Sequence, residues 1–125
     1  MNKFIIDVIG GRDGESIAVS LEYVDDVCRL HCHVRRGRHT IEAGDFFEAL
    51  LMLRRDVLEP LGLIPVCYGA SLDVWPSGMA RAMGRGLKAY RTVAGRSEPD
   101  LVGVFDTGED VIPALVEDQR RFSGN

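Results

Sequence analysis

A chain of 125 residues, 46% hydrophobic and 27% charged, has the size and make-up of one globular domain, able to bury about two-thirds of its unfolded surface. Its net charge of −4 and isoelectric point near 5.3 argue against a dedicated binder of nucleic acid or anionic membrane. No apolar run approaches the ~18 residues of a membrane span, residues 1–10 lack a signal peptide's cleavage region, and three irregularly spaced cysteines suit free thiols in a reducing cytoplasm better than a disulfide framework.

Phe4, Ile6 and Val8 alternate with Ile5, Asp7 and Ile9, the period of a strand. Arg12-Asp13-Gly14-Glu15 supplies a hairpin turn with Asp-Gly at its centre. With Arg12 opposite Glu15, Val8 pairs with Val19, Ile6 with Leu21 and Phe4 with Tyr23. A second turn at Asp25-Asp26 pairs Tyr23 with Cys28, Leu21 with Leu30 and Val19 with Cys32. A third, around Arg36-Gly37, pairs Val34 with His39, Cys32 with Ile41 and Leu30 with Ala43. These turns, chosen separately, keep the apolar set on one face of a four-stranded antiparallel meander. A one-residue slip would send that set into solvent.

The period then changes. Asp45 is placed to cap a helix, with Glu48 as the acidic half of a capping box. Phe46, Phe47, Leu50, Leu51, Arg54, Val57 and Leu58 form its inward stripe, and Pro60 and Gly62 end it. Laid over the meander, this helix gives a two-layer α+β fold. Residues 64–70 then read as a short strand, 71–76 as a loop, and Ser77 as the cap of a short helix through Met83, stopped by Gly84 and Gly86. Residues 87–93 and 101–105 read as two further strands joined by a polar stretch. Pro113 falls in the first turn of a terminal helix ending near Phe122, before a frayed Ser-Gly-Asn tail. Nothing divides residues 1–125 into more than a single α+β domain.

Cys28, His31, Cys32, His33 and His39 invite a zinc reading, but alternation sends the two cysteines inward and His31 and His33 outward, so they do not converge. An outward trio survives: His31 and His33, with Glu42 opposite His31, could hold a metal for an enzyme. Ser71 and Ser77 lie in no nucleophile elbow, Cys67 sits in an apolar strand, and Gly84-Arg85-Gly86 falls short of a phosphate-binding loop. No cofactor motif is present.

Charge is more informative. Arg81, Arg85, Lys88, Arg91 and Arg96 follow one another with no acid between, and Arg29, Arg35, Arg36 and Arg38 form a second such run. Asp100, Asp106, Glu109, Asp110, Glu117 and Asp118 then contain no base before Arg120. Such segregation either makes a basic patch on an acidic protein or pairs the arginines with the acidic C-terminal third. Arg81 and Arg85 share a helix face, and the Ser77-Gly78 helix start offers amides to an anion. Tyr68, Trp75, Met79, Met83 and Tyr90 cluster around the same turn, in the mixture of aromatics, methionine and arginine favoured at protein interfaces.

The stretch Cys67-Tyr68-Gly69-Ala70, followed by Trp75-Pro76-Ser77-Gly78-Met79-Ala80-Arg81-Ala82-Met83-Gly84-Arg85-Gly86-Leu87-Lys88-Ala89-Tyr90, resembles a pattern in small bacterial proteins of unassigned function. Asp100-Leu101-Val102, Phe105 and Val116-Glu117-Asp118-Gln119 look similar too, so the likeness spans residues 63–122. Some proteins of this kind look like immunity proteins encoded beside polymorphic toxins. This chain departs from the pattern at Ala82, where it calls for an acid, and at Arg85, where it calls for a glycine-rich step. The resemblance brings no catalytic residue.

The expected function is a small cytoplasmic binding protein, immunity-like, that occludes another protein. Its contact residues would be Tyr68, Trp75, Ser77, Gly78, Met79, Arg81, Arg85, Lys88, Tyr90 and Arg91, with the basic side chains steering an acidic surface. A phosphate-bearing ligand or RNA held at the basic segment is the alternative, and a metal enzyme built on His31, His33 and Glu42 is the third. An exposed sheet edge also allows homodimerisation.

Overall fold

A computed structural model describes residues 2–124. The fold is α+β. β1 (Asn2–Ile9), β2 (Ser16–Val24), β3 (Val27–Val34) and β4 (Gly37–Ala43) form the meander, followed by α1 (Phe46–Leu53). β5 (Ile64–Pro65) joins the far side of β1, giving the order β4-β3-β2-β1-β5. A second sheet, ordered β6-β7-β8, comprises β6 (Val74–Trp75), β7 (Lys88–Arg91) and β8 (Asp100–Gly103). α2 (Gly78–Gly84) lies between β6 and β7, and α3 (Val116–Ser123) follows β8.

The meander has the expected inward face, but two of its three registers differ. At the second turn, Tyr23 pairs with Cys28, Leu21 with Leu30 and Val19 with Cys32, as the alternation requires. Asp25 and Asp26 both adopt the left-handed conformation, which matches the twist of a two-residue hairpin. In the first hairpin, however, Ile6 pairs with Ile17 and Phe4 with Val19. The Asp13-Gly14 turn forms where expected, with Glu15 N donating to Arg12 O. The ladder does not continue from it, because Gly10 bends the end of β1 towards β5, where Val8 meets Pro65 and Ile9 meets Ile64. The third turn is also a two-residue loop but lies one residue earlier, at Arg35-Arg36, so Cys32 pairs with His39 and Leu30 with Ile41. Both shifts preserve the parity of the strands, which is what keeps the apolar face intact.

Asp45 caps α1, its carboxylate accepting from Glu48 N at 2.7 Å. Phe46, Phe47, Leu50, Leu51 and Leu53 are buried against the sheet. Burial of each such side chain contributes roughly 1.5–3 kcal/mol. The helix widens into a π-helical turn over Arg54–Leu58, then a 3-10 turn over Glu59–Leu61, and Gly62 closes it with φ 77°. Arg54, on the inward stripe, is only 1% exposed. It forms no salt bridge among the described residues. Its guanidinium donates to Gly69 O, Ala114 O and Gln119 Oε1, the last at 2.6 Å. Gln119 in turn donates to Gly69 O and Val74 O. One buried polar network therefore ties the end of α1 to the 69–74 segment and α3.

The second half departs from expectation where backbone groups find other partners. Strand pairing over 64–70 is confined to Ile64–Pro65, with one further bond from Val66 N to Asp7 O, and Tyr68–Ala70 coils into a 3-10 turn. Val74-Trp75, expected in a loop, pairs with β7. β7 and β8 are shorter than read, because Val104 and Phe105 turn into the core, where Phe105 stacks on Phe4 at 5.4 Å. Pro113 is not in a helix: it bridges Ser71 in an extended segment, and Ala114 N donates to Ala70 O. α3 begins at Val116, whose N–H is accepted by Glu59 at 2.7 Å. Ser123 closes that helix rather than fraying, and Asn125 lies outside the described residues.

Candidate functional site

Segment 75–91 forms a projection built on a rigid base. Ser77 caps α2, its hydroxyl accepting from Ala80 N at 3.0 Å. One of the helix-start amides, that of Ala80, is thus satisfied within the chain. At the other end, Arg85 takes the left-handed conformation (φ 55°) and Gly86 follows with φ 69°. Arg85 O accepts from Phe46 N at 2.7 Å, so this turn closes the first turn of α1. A Cβ on Gly86 would lie 2.8 Å from Phe47 N, so only glycine allows this approach.

Arg81 lies on the inner side of α2, its guanidinium 5.0 Å from the Phe47 ring centre and 5.8 Å from that of Trp75. Asp45 and Glu48 stand near it, at 3.9 and 3.6 Å. Arg120 of α3, which the sequence reading did not place here, comes within 5.9 Å of the same Trp75 ring. Glu48, Leu51, Trp75, Pro76, Arg81 and Arg120 line a cleft of about 540 Å³. Arg85 sits 3.9 Å over the Tyr23 ring. Such cation–π contacts hold a guanidinium in place without neutralising it.

Arg91 and Tyr68, expected at the contact surface, are structural ties instead. Arg91 faces Asp73 at 3.7 Å, Asp100 at 3.1 Å and Asp110 at 3.0 Å. Tyr68 donates its hydroxyl to Asp110 at 2.6 Å, which raises the phenol's pKa and lowers that of the carboxyl. Arg96 pairs with Asp100. The acidic C-terminal third thus neutralises the distal half of the basic run. Arg85 and Lys88 keep no carboxylate partner among the described residues.

Some apolar side chains of the segment point outward, while Trp75, Leu87 and Ala89 pack on the core. Met79 and Met83, four residues apart on the side of α2 away from Arg81, are 71% and 80% exposed. On β7 and β8, Tyr90 faces Leu101 directly, and both are exposed.

The other candidates do not assemble. Glu42 stands across from Arg29, bonding it at 2.8 Å, while His31 stands across from Thr40. His31 Nε2 lies 3.1 Å from Glu22 and its Nδ1 3.1 Å from the Thr40 hydroxyl. The shifted third turn thereby separates the expected metal trio, and no group of three metal-binding side chains occurs among the described residues. Ser71 is buried between Asp73 and Ile112 N. Cys67 is buried too, and desolvation pushes its thiol up to about 11, away from the reactive thiolate. No helix among the described residues is long and apolar enough to cross a membrane.

Compared with known proteins, the chain matches no family model and no curated protein.

Proposed function

We propose that this protein works by binding another protein and covering its working surface, with α2 and the outer face of the second sheet as the contact. One observation carries the reading: Met79 and Met83 stand almost fully in solvent on a helix fixed at both ends. Burying two such side chains contributes nothing to this fold and roughly 1.5–3 kcal/mol each to a complex. Tyr90 and Leu101 add apolar area, and Trp75, Arg81 and Arg120 add the aromatic and guanidinium anchors common at interface hot spots. Arg85 and Lys88 supply the unpaired charge at the rim, which favours an acidic surround on the partner. Residues 63–122 resemble small bacterial proteins of unassigned function, some of which look like immunity proteins, and that resemblance suggests a toxin as the partner. Arg91 and Tyr68 are already engaged with carboxylates of the same chain, which leaves Arg85 and Lys88 as the free charges of the basic segment.

The test is site-specific photo-crosslinking in the native host, with the crosslinker at Met79 or Met83 and, as a control, at exposed Ile5 of the meander. The expected result is a single protein joined from both helix positions and not from the control. The isolated partner should then lose at least tenfold in affinity for a Met79→Glu/Met83→Glu variant of unchanged melting temperature. Identical adducts from all positions, or full affinity in the double variant, would refute the reading.

A further inference from the structure

We propose that β4 is a self-association edge, along which two copies of this chain pair antiparallel about a two-fold axis through Thr40 and join their first sheets into one. β4 ends the sheet and offers seven residues without proline. The opposite edge, β5, is two residues long and contains Pro65. An open edge of the first kind is a template for another strand, whereas a short proline-bearing edge is blunted.

The register of the third turn decides which backbone groups are free. Its two-residue loop places the N–H of Gly37 towards the carbonyl of Val34. Alternation then commits Gly37, His39, Ile41 and Ala43 to β3 and directs the amides and carbonyls of Arg38, Thr40 and Glu42 outward. With Thr40 opposite its own copy, Arg38 stands opposite the second copy's Glu42, and all three outward residues fall in hydrogen-bonded pairs.

The side chains fit the same register. Glu22, Arg29 and Glu42 form a row of alternating charge across β2, β3 and β4, with contacts of 3.1 and 2.8 Å. The row ends on Glu42, which is 54% exposed, and the second copy's Arg38 would extend the alternation. Arg38 has no carboxylate partner of its own among the described residues. On the inner face His39 would meet Ile41, both only half-buried in the single chain. Sliding the strands by two residues sets Thr40 against Arg38 or against Glu42 and breaks both Arg38–Glu42 pairs, and sliding them by four sets Arg38 against Arg38 or Glu42 against Glu42. Like charges directly opposite each other are destabilising.

Sedimentation equilibrium of the full chain, over micromolar to millimolar concentration, tests this with a charge swap. Arg38→Glu and Glu42→Arg should each weaken the dimer about tenfold or more, since each replaces two attractive pairs by two repulsive ones. The double swap should restore it, and circular dichroism melts establish that all variants fold. Thr40→Pro, which removes an outward amide, should abolish association. A wild-type chain monomeric throughout, a double swap as weak as the singles, or a dimer that survives Thr40→Pro in folded protein would each overturn the proposal. Because β4 and segment 75–91 share no residue, failure here leaves the crosslinking result at Met79 untouched.

Discussion

Gln119→Leu isolates the buried network that joins the two halves of the molecule. Gln119 is fully buried and makes three hydrogen bonds, accepting from Arg54 at 2.6 Å and donating to Gly69 O at 3.0 Å and Val74 O at 2.9 Å. Leucine keeps most of the volume and removes all three. Gly69 O retains Arg54, but Val74 O is orphaned, at a cost of about 1–3 kcal/mol. The guanidinium loses its shortest contact, worth about 1.5–3 kcal/mol because the donor is charged, and leucine returns about 1 kcal/mol of apolar burial. The net loss is about 3 kcal/mol, or roughly 10 °C in melting temperature. Urea unfolding followed by Trp75, the sole tryptophan, measures it directly. Arg54→Met removes the other partner together with the charge, whose burial already pulls its pKa down to about 10. The double variant should then lose less than the sum of the singles by about 1–3 kcal/mol. A Gln119→Leu protein within about 0.5 kcal/mol of wild type, or strictly additive variants, would refute the assignment of Gln119 as the group that satisfies a buried cation.

Two further outcomes follow from the geometry. Gly86→Ala must place a Cβ 2.6 Å from Asp45 Oδ1 and 2.8 Å from Phe47 N at a φ of 69°, so we expect a loss of about 2–4 kcal/mol by urea titration; an unchanged midpoint would show that the turn does not press on α1. Stability should also be flat up to pH 9 and fall above it. Burial pushes the Cys32 and Cys67 thiols from 9.0 up to about 11, so the folded state holds these protons more tightly and its advantage is lost as pH rises through that range. Each thiol contributes on the order of 3 kcal/mol, while Arg54, shifted downward, opposes the fall above about pH 10. Urea midpoints between pH 8 and 11 measure the slope, and Cys67→Ala should flatten it.

The layers of the fold were legible because parity is robust. A strand slipped by two residues keeps the same face inward, so Ile6, Val19 and Leu30 were placed in the core even where their partners were misassigned. The metal trio failed for the same reason: a site depends on which residue stands opposite, and Glu42 moved from His31 to Arg29. In the second half, the competitors of strand pairing were invisible. Nothing local to Arg54 or Gln119 reveals that they meet across 65 positions, nor that Asp73, Asp100 and Asp110 converge on Arg91. The acid-free run and the acidic tail did carry that signal in their charges, but composition could not say which arginines would be consumed. Met79, Met83 and Arg81 could be sorted by helical spacing alone.

The bond from Phe46 N to Arg85 O has a mechanical meaning. It bolts the far end of α2 to the buried helix that roofs the first sheet, so the exposed methionines are anchored to the core layer. A recognition element mounted in this way surrenders little motional freedom when it engages, and most of its contact energy survives as affinity.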